Sequence, residues 1–157
     1  MVLEAFASLP QAELYICTKI EDDFAQAFHT SLFETPNIHV MGHIRPYGRT
    51  FRQLMKDCLW LIFPSASEGS PGSVADCMIQ GVIPLVSRSS HIDIDGLGQT
   101  IDPCNTASIR AAILDALNQS DPWCLNQSQR VQAAALQRFD PALFRTKLQH
   151  FLEQTLS

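Results

Sequence analysis

No apolar run in this 157-residue chain approaches the ~18–20 residues that a membrane span requires. The N-terminus, Met1-Val2-Leu3-Glu4, lacks the basic flank and long apolar stretch of a signal peptide. The basic excess that would attract a phosphate backbone is also missing. Eleven Lys and Arg stand against sixteen Asp and Glu, a formal charge of −5, which argues against general nucleic-acid binding. There is no CxxC pair. The five cysteines, Cys17, Cys58, Cys77, Cys104 and Cys124, are an odd number and widely spaced, so no disulfide framework is expected. They read as small buried side chains in a reducing cytoplasm. GxGxxG, GxxxxGK[ST] and GxSxG are absent, which removes the dinucleotide fingerprint, the phosphate-loop NTPases and the nucleophile elbow. His39 and His43 lie four apart without a third ligand, so no metal is expected.

Apolar residues make up 46% and charged residues 17%, a globular composition at the length of one domain, residues 1–157. The pattern alternates strand and helix. Strands are expected at Glu13–Thr18, Ile38–Met41, Leu59–Phe63, Ile83–Ser87 and Gln99–Asp102. Leu59–Phe63 is apolar at every position, which suits a strand covered on both faces of a parallel sheet. Helical stripes fall between Glu21 and Glu34 on Phe24, Phe28 and Leu32, and after Gly48 on Phe51, Leu54, Met55 and Cys58. Another helix starts with Ser70 as cap and Pro71 at its first position, and ends at Gly81. The C-terminal third is helical. Ile109, Ala112, Ile113, Ala116 and Leu117 form a stripe behind Asn105 or Thr106. A weaker helix runs from about Asn126 to Arg138, with Trp123 before it as a packing anchor or a partner contact. Asp140-Pro141 opens the last, with Phe144, Leu148, Phe151 and Leu152 expected inward. This order predicts an α/β chain with a Rossmann-like parallel sheet and flanking helices.

Ligands of such sheets bind beyond the carboxyl ends of the strands. That singles out Pro64–Asp76, the loop after Leu59–Phe63. Its small residues let a ligand approach the backbone, and the helix behind it offers free N–H groups at Gly72 and Ser73 to an anion such as phosphate. Glu68 before the helix and Asp76 within it would accept hydrogen bonds from the hydroxyls of a ribose or a sugar. The same composition also serves an ordinary strand-to-helix turn.

Pro64-Ser65, Glu68-Gly69, Pro71, Asp76, Met78, Gly81, Pro84 and Ser87, in this order and spacing, resemble the signature of the C-terminal, donor-binding domain of GT-B fold glycosyltransferases of family 4 (group 1). Pro36–Gly42 resembles a further strand of that domain. The likeness covers about Leu3 to Leu117. It implies retaining transfer of a sugar from a UDP- or GDP-linked donor, with no metal and no separate cofactor. It implies that Glu68 faces the donor sugar as the catalytic carboxylate. Gly69, Ser70, Gly72 and Ser73 would hold the diphosphate through their backbone, Asp76 the ribose hydroxyls, and the backbone near His43 and Ile44 the base.

The chain departs from that pattern in three ways. The second acid is aspartate, one methylene shorter than the family's glutamate, which moves its carboxylate by ~1.5 Å. Arg88–Gly98 lacks a Gly-Gly before an acid, and Asp93 is either the substitute or a loop aspartate. The domain's first strand, the basic loop after it and the N-terminal acceptor-binding domain are not in this sequence. The strands Glu13–Thr18 and Leu59–Phe63 must therefore pair directly or leave a gap. A non-catalytic nucleotide-sugar-binding or interaction module of the same ancestry is the alternative function. A receiver-type regulatory domain is disfavoured, because the first strand ends in Cys17-Thr18-Lys19 and not in an acidic cluster.

Overall fold

The computed structural model describes residues 1–156. Five short strands alternate with helices in the expected order. They are β1 (Leu14–Ile16), β2 (Ile38–Val40), β3 (Trp60–Phe63), β4 (Ile83–Ser87) and β5 (Gln99–Ile101). The helices are α1 (Val2–Ala7), α2 (Asp22–Ala27), α3 (Arg49–Asp57), α4 (Gly72–Ile79), α5 (Thr106–Leu117), α6 (Asp121–Arg138) and α7 (Pro141–Leu156). Every strand pair is parallel.

The sheet is in two pieces. β1 pairs with β2, and β3, β4 and β5 form a second group in that order. β1 and β3 do not pair, so of the two outcomes open to the sequence the gap is the one observed. Leu14 N–H donates to Asn37 O and Ile16 O accepts from Met41 N–H, both at 2.9 Å. Alternate residues of a parallel strand bond to opposite sides, so Tyr15 turns its backbone groups away from β2. Ile83 N–H likewise donates to Leu59 O at 2.9 Å. Trp60 and Ile62 therefore turn theirs away from β4. Burial follows the same division. All five residues of β4 are buried, whereas the equally apolar Trp60-Leu61-Ile62-Phe63 is half-buried throughout.

One core nevertheless joins the two pieces. Phe6 and Leu9 near α1, Leu14, Ile38, Leu85, Ile101 and the inner face of α5 (Ile109, Ala112, Ile113) form a single apolar cluster. Thr106 Oγ1 donates to Glu4 at 2.8 Å and ties the start of α1 to the start of α5. The buried Asn37 amide donates to the carbonyls of Phe6, Leu9 and Ala12, closing the turn between α1 and β1. On the opposite face, α4 and α6 pack Val74, Met78, Val131 and Ala135 against Ile83 and Val86. Gly98 lies so close to β4 that a Cβ there would sit 2.0 Å from Pro84 O.

Several local expectations are corrected. The helix foreseen over Glu21–Glu34 stops at Ala27 and resumes as a π-turn at Thr30–Glu34. Only Leu32 of its stripe is buried, while Phe24 and Phe28 are exposed and lie tilted against each other with ring centroids 4.5 Å apart. The first residue of α4 is Gly72, with Pro71 as its cap in extended geometry, because Ser70 takes a left-handed φ of 72° that cannot cap a helix. Asn105, not Thr106, caps α5, accepting from Ser108 N–H at 2.9 Å. α6 begins at Asp121, so Trp123 lies in its first turn. The stripe of α7 points outward, with Phe144 and Phe151 exposed, since among the described residues nothing covers that face. Cys77 and Cys124 are buried as expected and Cys58 and Cys104 partly so, but Cys17 is exposed.

Candidate functional site

β3 delivers the chain at Phe63 to the loop ahead of α4, at the carboxyl edge of the sheet. The loop is tied to the segment after β4. Ser87, buried at the end of β4, donates its hydroxyl to Ser65 O at 2.5 Å. Glu68 N–H donates to Ser89 O at 3.1 Å. His91, left-handed at φ 51°, donates Nδ1–H to Glu68 O at 2.8 Å. These bonds fix the backbone of Glu68 and leave its carboxylate exposed, with the Ser65 hydroxyl at 3.4 Å its one hydrogen-bond partner among the described residues. The loop then enters α4. The N–H groups of Gly72 and Ser73 have no partner among the described residues, and the first intrahelical turn closes at Val74 N–H to Pro71 O, 3.2 Å. An exposed N-terminus of this kind attracts anions.

Asp76 is the second carboxylate, and it is engaged. Tyr47 donates its hydroxyl to Asp76 Oδ1 at 2.5 Å. That bond, helped by partial burial and the negative charge of Asp76, pushes the Tyr47 phenol up to about 12. Tyr47 belongs to the loop between β2 and α3 and holds a left-handed φ of 58°, costly for an aromatic residue. Three contacts maintain it: Asp76, the Phe51 ring at 5.7 Å, and the Arg52 guanidinium, which donates to Tyr47 O.

His43 and Ile44 lie in the same loop and line an open cavity of about 280 Å³ with Arg45, Gly48, Arg49 and Thr50. The structure thus gathers the expected residues into two adjacent groups: Glu68 to Ser73 on one, His43 and Ile44 on the other, with Tyr47–Asp76 joining them. Three participants were not legible beforehand. Tyr47 is 29 residues from Asp76 and carries no local signal of the bond. Arg45 and Arg49 flank Pro46-Tyr47-Gly48; the clustering of two cations around a turn was the available clue. Among the described residues neither guanidinium has an acidic partner, so the cavity wall is cationic. Asp93 lies in the segment between β4 and β5. Its carboxylate pairs with Arg138 at 2.9 Å and accepts Asp95 N–H at 3.0 Å, and the Arg138 hydrogen bond holds it below the usual carboxylate range. Burial pushes the Cys77 thiol, next to Asp76, up to about 12, which makes it unreactive. His39 is bound to Glu13 at 2.5 Å and stacks on Tyr15. Among the described residues, no three His, Cys, Asp or Glu side chains are grouped to hold a metal ion, and no helix is long and apolar enough to cross a membrane.

No family model and no curated protein matches the sequence. Solved structures do match the fold. WaaG, a glycosyltransferase involved in lipopolysaccharide biosynthesis, superposes with a TM-score of 0.67 at 19% identity over 85% of this chain and 37% of its own. HepE of Anabaena, solved in complex with UDP and glucose, superposes with a TM-score of 0.78 at 17% identity over 98% of this chain and 44% of its own. The chain therefore spans less than half the length of either protein. In fold it is a Rossmann-like domain of the GT-B glycosyltransferase type.

Proposed function

We propose that this chain is the donor-binding half of a retaining glycosyltransferase of hexosyltransferase type that takes a nucleotide-sugar in the cytoplasm and works with an N-terminal acceptor-binding domain. The observation that carries the reading is the pair of carboxylates around the open start of α4: Glu68 fixed through its backbone with its side chain free, and Asp76 held where Tyr47 can reach it. The fold neighbour that binds UDP and glucose supports the ligand class. In this reading Glu68 faces the donor sugar. The backbone of Gly69, Ser70, Gly72 and Ser73 holds the diphosphate, Asp76 takes the ribose hydroxyls, and the backbone at His43 and Ile44 meets the base. No metal and no separate cofactor takes part, and Arg45 and Arg49 add cationic charge beside the phosphates.

The gap beside β3 favours a second reading, a nucleotide-sugar-binding module without turnover, because the break adjoins the loop that carries the site. One experiment addresses both. Calorimetric titration of UDP and GDP should give a millimolar dissociation constant, about −4 kcal/mol, because an exposed helix terminus contributes only about 0.3–1 kcal/mol per charge. Asp76→Ala should weaken it further. Absence of binding to both nucleotides would overturn both readings. Binding without sugar transfer, once an acceptor domain is joined to the chain, would select the second.

A further inference from the structure

A second cavity lies at the other edge of the sheet, away from Glu68 and Asp76. It measures about 410 Å³, within the ~300–1,000 Å³ of small-molecule sites. Its walls come from the starts of β3 and β5, the end of α5 and the first half of α6. Trp60 and Trp123 form one side, their rings 6.0 Å apart and inclined by only 14°. Trp123 is 42% exposed, which leaves indole surface open to solvent. Neither indole N–H has a hydrogen-bond partner among the described residues, and the same holds for the Asp115 carboxylate and the Asn118 amide.

Arg130 is held in the opposite wall. It donates to Gln127 Oε1 at 2.8 Å, and Gln127, itself 97% removed from solvent, donates to Gly96 O at 3.2 Å. A buried glutamine bonded on both sides fixes the guanidinium at the rim before any ligand arrives. The site thus has a flat aromatic wall, several free planar donors and acceptors, and one acid balanced by one base.

We propose that this cavity binds a neutral pyranose ring, as a carbohydrate site separate from the donor loop. The C–H face of a pyranose packs on indole, whose face is electron-rich. Vicinal hydroxyls match the paired atoms of a carboxylate, an amide or a guanidinium. The balance of Asp115 against Arg130 disfavours a net anion or cation. The proposal stands independently of the donor reading, since no residue is shared.

Trp60 and Trp123 are the only tryptophans, so tryptophan fluorescence, excited beyond the tyrosine band, reports on this cavity. The probes are the methyl glycosides of glucose, galactose and mannose, with adenosine and UDP beside them. At least one glycoside should change the emission saturably, with a dissociation constant of about 1–10 mM. Trp123→Ala should weaken that binding about tenfold or more, as loss of an aromatic anchor does. Asn118→Ala, exposed at the end of α5, should also weaken it, and Asp76→Ala should leave it unchanged. No saturable change with any glycoside would overturn the proposal. So would binding unaffected by both Trp123→Ala and Asn118→Ala, or tighter binding of adenosine than of every sugar.

Discussion

Tyr47 donates a 2.5 Å hydrogen bond to Asp76, joining the loop after β2 to the second turn of α4. In the proposed donor site the same carboxylate receives the ribose hydroxyls, so nucleotide and Tyr47 compete for one acceptor. Tyr47→Phe should then bind UDP or GDP more tightly, by up to about tenfold, the equivalent of the ~0.5–1.5 kcal/mol of a net hydrogen bond. Calorimetry on parent and variant checks this. Weaker binding by the variant would mean that the phenol helps the nucleotide.

The same bond makes a pH prediction. The folded protein raises the Tyr47 phenol from its ordinary 10 to about 12, with the Asp76 hydrogen bond the largest cause. The neutral phenol is thus favoured by folding. Its contribution to stability is complete below about pH 10 and is lost as the pH rises through about 12. Subtracting the alkaline absorbance titration of Tyr47→Phe from that of the parent should isolate a tyrosine with its midpoint near 12. A midpoint near 10 would show that the phenol does not hold this bond in solution.

Glu68 and Asp76 should separate rate from binding. In an active enzyme carrying this domain, Glu68→Gln should slow transfer about 10²–10³-fold, the cost of ~2.7–4 kcal/mol in a preorganised electrostatic contact. Nucleotide affinity should hardly change, because backbone groups hold the diphosphate. Asp76→Ala should weaken nucleotide binding by about 1.5–3 kcal/mol and slow turnover less. Transfer at the parental rate by Glu68→Gln would reduce the loop to an ordinary strand-to-helix turn.

Gly98→Ala should be the most damaging single-methyl change. The added carbon would lie 2.0 Å from Pro84 O, which is backbone and cannot swing aside. β4 and β5 must separate, at a cost of about 1–3 kcal/mol or more. Urea denaturation should show the unfolding free energy falling by that amount and the midpoint falling with it. An unchanged midpoint would mean that the two strands are less closely packed than described.

The backbone of Tyr15, Trp60 and Ile62, turned away from the neighbouring strand, should make the isolated chain prone to edge association. Sedimentation should show concentration-dependent aggregates, and thermal unfolding should be broad. A sharp transition above ~45–65 °C would contradict this.

Much of the architecture was legible because local chemistry decided it. Ile83–Val86 is apolar throughout and lies in a wholly buried strand, and Ile109, Ala112, Ile113 and Ala116 repeat at helical spacing and face the core. Periodicity locates an apolar face but not what covers it. That is why the stripe of α7 was legible and its outward orientation was not. Trp60–Phe63 reads as a strand covered on both sides, yet it is half-buried because its burial depends on a neighbouring strand that this chain does not place there. At the site, Glu68 and Asp76 stood out through spacing within one loop. Arg45 and Tyr47 come from a separate loop and Arg49 from the start of α3, and the Tyr47–Asp76 bond and the packing of Phe51 with Cys77 bring them near.

The break between β1 and β3 is also a seam through the candidate site. His43 and Ile44 follow β2 on one side; Glu68 and Asp76 follow β3 on the other. A nucleotide touching both would act as a staple across two half-sheets that share a core but no ladder hydrogen bonds. Part of its intrinsic affinity would then be spent on holding the halves at one spacing, and the loss would return as rigidity. Amide hydrogens of Tyr15, Trp60 and Ile62, which exchange freely in a seam that breathes, would slow when the staple is in place.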